Sequence, residues 1–129
     1  MTSIAIPMFP HVTVLDGIGP YEVLQRIPDF DVTFVGHRHG VVRSDNGMLG
    51  LEVDATFEEL PTPDVVVFPG GYGTRALVTD DRVLHWVRTA HAGTRFTTSV
   101  CTGSLVLAAA GLLDGLTATT HWGALDRLG

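Results

Sequence analysis

Cys101 is the only cysteine in a chain of 129 residues, and Thr102, Gly103 and Ser104 follow it directly. Thr94 to Val100 ahead of it reads as a β-strand, and Thr102 to Ala110 behind it reads as a helix. The sulfur therefore falls on a strand-to-helix turn. Such a turn lifts a side chain above the end of a sheet, and small neighbours let the backbone bend sharply there. A helix N-terminus beside the sulfur brings unpaired N–H groups and the positive end of the helix dipole, which favours thiolate over thiol. The chemistry predicted is nucleophilic attack by sulfur. The competing reading is inert packing, because a free cysteine is among the most often buried side chains.

Two further groups can join that chemistry. Pro69-Gly70-Gly71 ends the most apolar strand of the chain, Asp64 to Phe68. Ligands of open parallel sheets bind outside the carboxyl ends of the strands, which brings this turn beside Cys101. Backbone N–H groups of Gly70 or Gly71, with that of Thr102, are expected to hold developing negative charge. The plainer alternative is that the glycines only permit a tight turn. Asp16 lies in the loop after the first strand, at the same end of the sheet. Its carboxyl suits proton exchange with a substrate at the cysteine, or else it caps the helix that follows. Glu22 faces either the site or solvent. The stretch 69–74 is not a phosphate loop, because no Gly-Lys-Ser/Thr follows.

The six histidines show no ligand spacing. His85 and His91 are six apart, off the shared helix face that four-residue spacing would give, and the sole cysteine has no thiol partner for a metal. His121, after Thr117-Ala118-Thr119-Thr120, is the histidine placed to approach Cys101. Ordinary polar roles are assigned to all six.

The elements that must position these groups follow from local patterns. Ser3 to Phe9 is a buried strand. Residues 10 to 19 read as a loop, with Pro20 opening a helix to Gln25 and Pro28 ending it. Asp31 to Val35 is a strand. Gly40 to Val53 folds back at Ser44-Asp45-Asn46-Gly47 as a small hairpin. Phe57 to Leu60 makes one helical turn. Asp81 to Ala92 is a helix with Val83, Leu84, Val87 and Ala90 on its buried side. Gly111 stops the helix after Cys101. Leu116 to Thr120 reads as extended, and His121 to Leu128 as the start of a further helix. Strands alternating with helices define an α/β domain with a largely parallel sheet.

Composition narrows the function. Forty-five per cent hydrophobic residues and a positive mean hydropathy suffice for a real core, and the length predicts one domain, 1–129. A net charge of −6 with only 8 Lys+Arg lacks the clustered positive charge that nucleic acid requires. No apolar run reaches the ~18 residues of a membrane span. The start, Met1-Thr2-Ser3-Ile4, has no basic signal-peptide region. A lone cysteine makes no internal disulfide, so a reducing, cytoplasmic setting is expected.

Leu15-Asp16-Gly17-Ile18-Gly19-Pro20-Tyr21-Glu22-Val23-Leu24, Val67-Phe68-Pro69-Gly70-Gly71-Tyr72-Gly73 and Thr98-Ser99-Val100-Cys101-Thr102-Gly103-Ser104 resemble the ThiJ/PfpI superfamily. So do Leu107 to Gly115 and Ala118-Thr119-Thr120-His121-Trp122. Within it the chain is most similar to the isonitrile-hydrating branch. The resemblance implies a flavodoxin-like three-layer α/β sandwich, a homodimer with the site near the interface, Cys101 as nucleophile, Asp16 as its acid/base partner, Thr102 beside the sulfur, and Gly70 and Gly71 at the oxyanion position. It implies a small-molecule substrate, with no metal and no organic cofactor. Protease-like members carry His after the cysteine where this chain has Thr102, which argues against a Cys-His protease. Family members also continue past the position of Gly129 with a closing strand and helix, so the chain is expected to be C-terminally truncated, with an apolar sheet edge left open. The leading expectation is hydration of an isonitrile to an N-substituted formamide. The alternatives are a cofactor-free glyoxalase for 2-oxoaldehydes, the ligand-sensing half of a transcription regulator, and redox sensing by oxidation of Cys101 to sulfinate.

Overall fold

The apolar N-terminal run forms β1, Thr2–Pro7, in the middle of a five-stranded sheet. The structure is a computed structural model and describes residues 1–128. β1 is flanked by β2 (Phe30–Gly36) and β6 (Val65–Phe68), with β5 (Ala55–Thr56) beyond β2 and β7 (Phe96–Ser99) beyond β6. The order is β5-β2-β1-β6-β7 and every pairing is parallel. Central parallel strands are covered on both faces, which explains why Ile4 to Ile6 and Val66 to Phe68 are all buried.

Helix α1 (Val14–Leu24) connects β1 to β2, α2 (Thr74–Leu77) and α3 (Asp81–Gly93) connect β6 to β7, and α4 (Gly103–Ala109) and α5 (Leu125–Leu128) follow β7. From β1 the chain moves to β2 on one side, and from β6 to β7 on the other. Right-handed crossovers then put α1 and α3 on opposite faces of the sheet, giving three layers. The buried side of α3 is Val83, Leu84, Trp86, Val87 and Ala90, as its helical spacing requires. Trp86 adds an indole N–H that donates to the Leu60 carbonyl at 2.9 Å.

The small hairpin forms where its turn residues place it. β3 (Gly40–Arg43) pairs antiparallel with β4 (Gly50–Val53). It braces the chain that leads into α1, because His11 N–H donates to the Arg43 carbonyl and Asp45 N–H to the Val12 carbonyl.

Two expectations change. α1 begins at Val14, six residues before Pro20, which lies inside the helix. The N–H that Pro20 lacks would have bonded the Asp16 carbonyl, the usual cost of an interior proline; packing of α1 against β1, β2 and β6 outweighs it. Asp16 is therefore a first-turn helical residue and not a loop residue. Leu116 to Thr120 is irregular and pairs with no strand. β7 lies at the rim of the sheet with Phe96 exposed, and a groove of about 420 Å³ runs over the face formed by Phe30, Val65, Val67 and Phe96.

Candidate active site

The chain order reverses between β1 and β6, and the crevice outside a reversal is where open α/β sheets bind ligands. Asp16, Gly70, Gly71 and Cys101 all follow the carboxyl ends of β1, β6 and β7 around that crevice.

Cys101 stands between β7 and α4 with φ +54. A left-handed conformation is disfavoured for any residue with a Cβ and marks a strained turn. Val100 N–H donates to the Phe68 carbonyl, and Gly103 N–H closes the turn onto the Val100 carbonyl, each at 2.9 Å. Gly103 is required for a steric reason. A Cβ there would lie 2.0 Å from the Phe68 carbonyl oxygen, so only glycine lets α4 start this close to the end of β6. The strand-to-helix turn is thus present, with Cys101 partly exposed on it.

Asp16 reaches the elbow from α1. The residue is 9% exposed, and Oδ2 accepts from Gly70 N–H at 3.2 Å. Burial pushes the Asp16 carboxyl above its usual range; the Gly70 N–H, the Cys101 thiol and the charge of His121 act in the opposite direction without cancelling it. A buried carboxyl that keeps its proton more readily beside a thiol is suited to giving and taking that proton.

The glycine turn differs from the expected oxyanion cradle. Gly70 N–H is taken by Asp16, and Gly71 N–H donates to Thr102 Oγ1 at 2.9 Å. Both N–H groups are engaged by protein side chains, so neither points unpartnered at a substrate. Gly71 has φ +130, and a Cβ on it would lie 2.6 Å from the His11 carbonyl oxygen and from Thr13 N. Thr102 follows Cys101 directly, and its side chain turns to the glycine turn. Its hydroxyl is buried against Gly71 and lies 3.4 Å from Thr74 Oγ1, which itself donates to the Gly71 carbonyl at 2.8 Å. Thr102 fastens the glycine turn to the elbow.

A cavity of about 390 Å³ opens beside Cys101, walled by Ser99, Ser104, Leu113, Thr119, Thr120 and His121, with Ala118. His121 is the residue that sequence reasoning undervalued. Its Nδ1 accepts from Gly123 N–H at 3.0 Å. Thr120 has no role assigned from the sequence, and its hydroxyl donates to the Cys101 carbonyl at 3.0 Å. Three other histidines play polar roles elsewhere: His37 meets Asp80, His39 meets Glu59, and His91 Nδ1 meets Thr97 Oγ1. Glu22 pairs with Arg26 on the exposed side of α1 and does not face the site. A larger groove of about 510 Å³, lined by Phe57, Arg82, His85 and Trp86 among others, shares no residue with the Cys101 cavity.

An α/β domain with a cysteine elbow and a carboxyl from the first helix defines a class, and residues 2–129 match the DJ-1/PfpI family, to which the chain belongs. Isonitrile hydratase from Pseudomonas putida is 47% identical over 126 residues, 98% of this chain and 55% of that protein. The HTH-type transcriptional regulator GbdR from Pseudomonas aeruginosa (strain UCBPP-PA14) is 41% identical over 81 residues, 61% of this chain and 22% of the regulator. The crystal structure of a ThiJ/PfpI family protein from Pseudomonas syringae superposes with a TM-score of 0.92 at 36% identity, covering 98% of this chain and 53% of that one. The chain thus spans about half the length of the isonitrile hydratase and of the Pseudomonas syringae protein. Among the described residues no helix is long and apolar enough to cross a membrane.

Proposed function

We propose that this domain hydrates an isonitrile to an N-substituted formamide through a covalent thioimidate on Cys101. The observation that carries the reading is the pairing of a strained cysteine elbow with a buried carboxyl held by the Gly70 N–H. The 47% identity to an isonitrile hydratase supplies the substrate class.

The terminal carbon of an isonitrile is electrophilic towards a soft sulfur nucleophile. The Cys101–Asp16 pair starts with one proton, held on the carboxyl as sulfur attacks. The S–C bond forms and Asp16 gives its proton to the same carbon, leaving S–CH=N–R and a carboxylate. Water then adds to that carbon. Asp16 takes a proton from the water and passes it to nitrogen, giving S–CH(OH)–NH–R. The C–S bond breaks, its electrons return to sulfur, and the hydroxyl proton goes to Asp16. One water is consumed, the formamide leaves, and the pair is restored. Gly70 N–H serves by aiming the carboxyl, and Thr102 by holding the turn that carries that N–H.

The site also fits a subunit boundary. Leu15, Tyr72 and Trp122 are large, highly exposed side chains, and each is next in sequence to a site residue. A homodimer joined through these side chains covers the crevice, and light scattering with Leu15→Ser as control reads it out. A second reading, a ligand-sensing domain, is favoured by the 41% identity to a transcription regulator; it binds the small molecule without turning it over.

The deciding assay incubates the protein with cyclohexyl isonitrile and follows the formyl proton by NMR. Formamide that disappears in Cys101→Ala supports the hydratase. Saturable binding without formamide from a folded chain moves the site to the sensing role, and lactate from methylglyoxal moves it to the glyoxalase.

A further inference from the structure

Residues 118–121 form a wall of the Cys101 cavity yet pair with no strand among the described residues. What ties this irregular wall to the elbow is the Thr120 hydroxyl, which donates to the Cys101 carbonyl at 3.0 Å from nineteen positions along the chain. Ser104 Oγ donates to the same carbonyl at 3.3 Å from the first turn of α4. A left-handed, non-glycine residue persists only where its surroundings over-determine it. The turn holds Cys101 through its neighbours, by the Val100 and Gly103 N–H groups, but those bonds do not touch the peptide that leaves Cys101. The orientation of that peptide is set by its carbonyl, and the carbonyl is held by the two hydroxyls.

We infer that Thr120 is a positioning residue for the Cys101 sulfur: its hydroxyl holds the carbonyl of the strained elbow and joins the cavity wall 118–121 to the reacting residue. Ser104 shares the hold from within α4, while Thr120 brings it from outside the elbow. A ligand resting on Thr119 or His121 therefore bears on the segment that sets the sulfur's direction. The inference rests on Cys101 being the nucleophile, but not on the isonitrile as substrate.

The test uses the full chain and reads alkylation of Cys101 by iodoacetamide, followed by intact mass, beside a thermal melt. Thr120→Val keeps the shape and loses the donor, so its alkylation slows roughly five- to tenfold, the effect of one such hydrogen bond. Thr120→Ser restores the rate to within about twofold. A wild-type rate in Thr120→Val, or a Thr120→Ser as slow as the valine variant, overturns the assignment. If Thr120→Val melts below the assay temperature, Ser104→Ala decides with Thr120→Ser: with Thr120 as the remaining hydroxyl donor it retains at least half the wild-type rate, and a loss of about fivefold or more there assigns the hold to Ser104 and overturns the role of Thr120. With cyclohexyl isonitrile the valine variant loses kcat and keeps KM. Absence of turnover in the wild-type protein would count against the hydratase reading alone, since the alkylation rates stand independently of it.

Discussion

The Asp16 carboxylate and the Gly70 N–H, 54 positions apart in sequence, meet at 3.2 Å across the crevice between β1 and β6. One bond thereby aims the carboxyl at the elbow and closes the glycine turn. The two roles separate in Asp16→Asn, whose amide oxygen still accepts from Gly70 but cannot shuttle a proton. Turnover should fall by roughly 10²- to 10⁴-fold, the usual contribution of a general acid/base. The fold should not suffer. The folded carboxyl sits above its ordinary value of 3.8, so the ionised form is the one the fold penalises, and Asp16 subtracts stability as pH rises from 3.8 through the higher folded value. Melts of the two proteins between pH 4 and pH 7 should converge at the acid end and favour Asn at the neutral end. A variant less stable at pH 7 than the parent would contradict this placement of Asp16.

Thr102→Val separates the glycine turn from the elbow. It leaves Gly71 N–H buried without the Oγ1 acceptor it now has at 2.9 Å, at a cost of about 1–3 kcal/mol. Thr102→Ser keeps the acceptor and should keep most of that stability. Urea denaturation of the pair reads the difference, and equal midpoints would show that the Thr102 hydroxyl is dispensable.

Gly103→Ala tests the steric origin of the elbow. The new methyl would lie 2.0 Å from the Phe68 carbonyl oxygen, which is backbone and cannot swing aside. Loss of at least 1–3 kcal/mol, the usual cost of overpacking, is expected, with Cys101 displaced and its alkylation rate changed. A melting temperature within a degree of the parent would refute so close an approach.

Asp80 caps α3, accepting from the Arg82 and Val83 N–H groups, and meets His37 Nε2 at 2.8 Å. Desolvation pushes its carboxyl up, but the His37 hydrogen bond and the two backbone donors outweigh this and hold it below the usual range. Its stabilisation is thus present above the ordinary aspartate value of 3.8 and is lost as pH falls through the lower folded value. Asp80→Ala should cost about 1 kcal/mol at pH 7, a difference that narrows towards pH 2. A gap that stays constant down to pH 2 would remove the charge from the account.

The features legible in the sequence were those that short-range patterns encode. The apolar strand Val65–Phe68, the hairpin around Asn46-Gly47, the buried stripe of α3 and the elbow at Cys101 each follow from residues adjacent in the chain. What escaped is set by contacts between distant segments. α1 carries Gly17, Gly19 and Pro20 and looks like a loop until β1, β2 and β6 supply a surface for it. β5 is two residues long and exists because β2 offers it an edge. The partners of the Gly70 and Gly71 N–H groups were unreadable for the same reason, because Asp16 and Thr102 arrive from 54 and 31 positions away. Thr120 carries no local signal, since a threonine in an irregular segment becomes significant only when the Cys101 carbonyl lies in front of it.

Single-turnover mass spectrometry reads out the proposed covalent bond between Cys101 and the isonitrile carbon. Protein in excess is mixed with cyclohexyl isonitrile, quenched at intervals, and weighed intact and after digestion. The expected result is a transient species heavier by one isonitrile, carried on Cys101, that decays as formamide appears and is missing from Cys101→Ala. Formamide released at the same rate by Cys101→Ala, with no adduct at any time point, would contradict it.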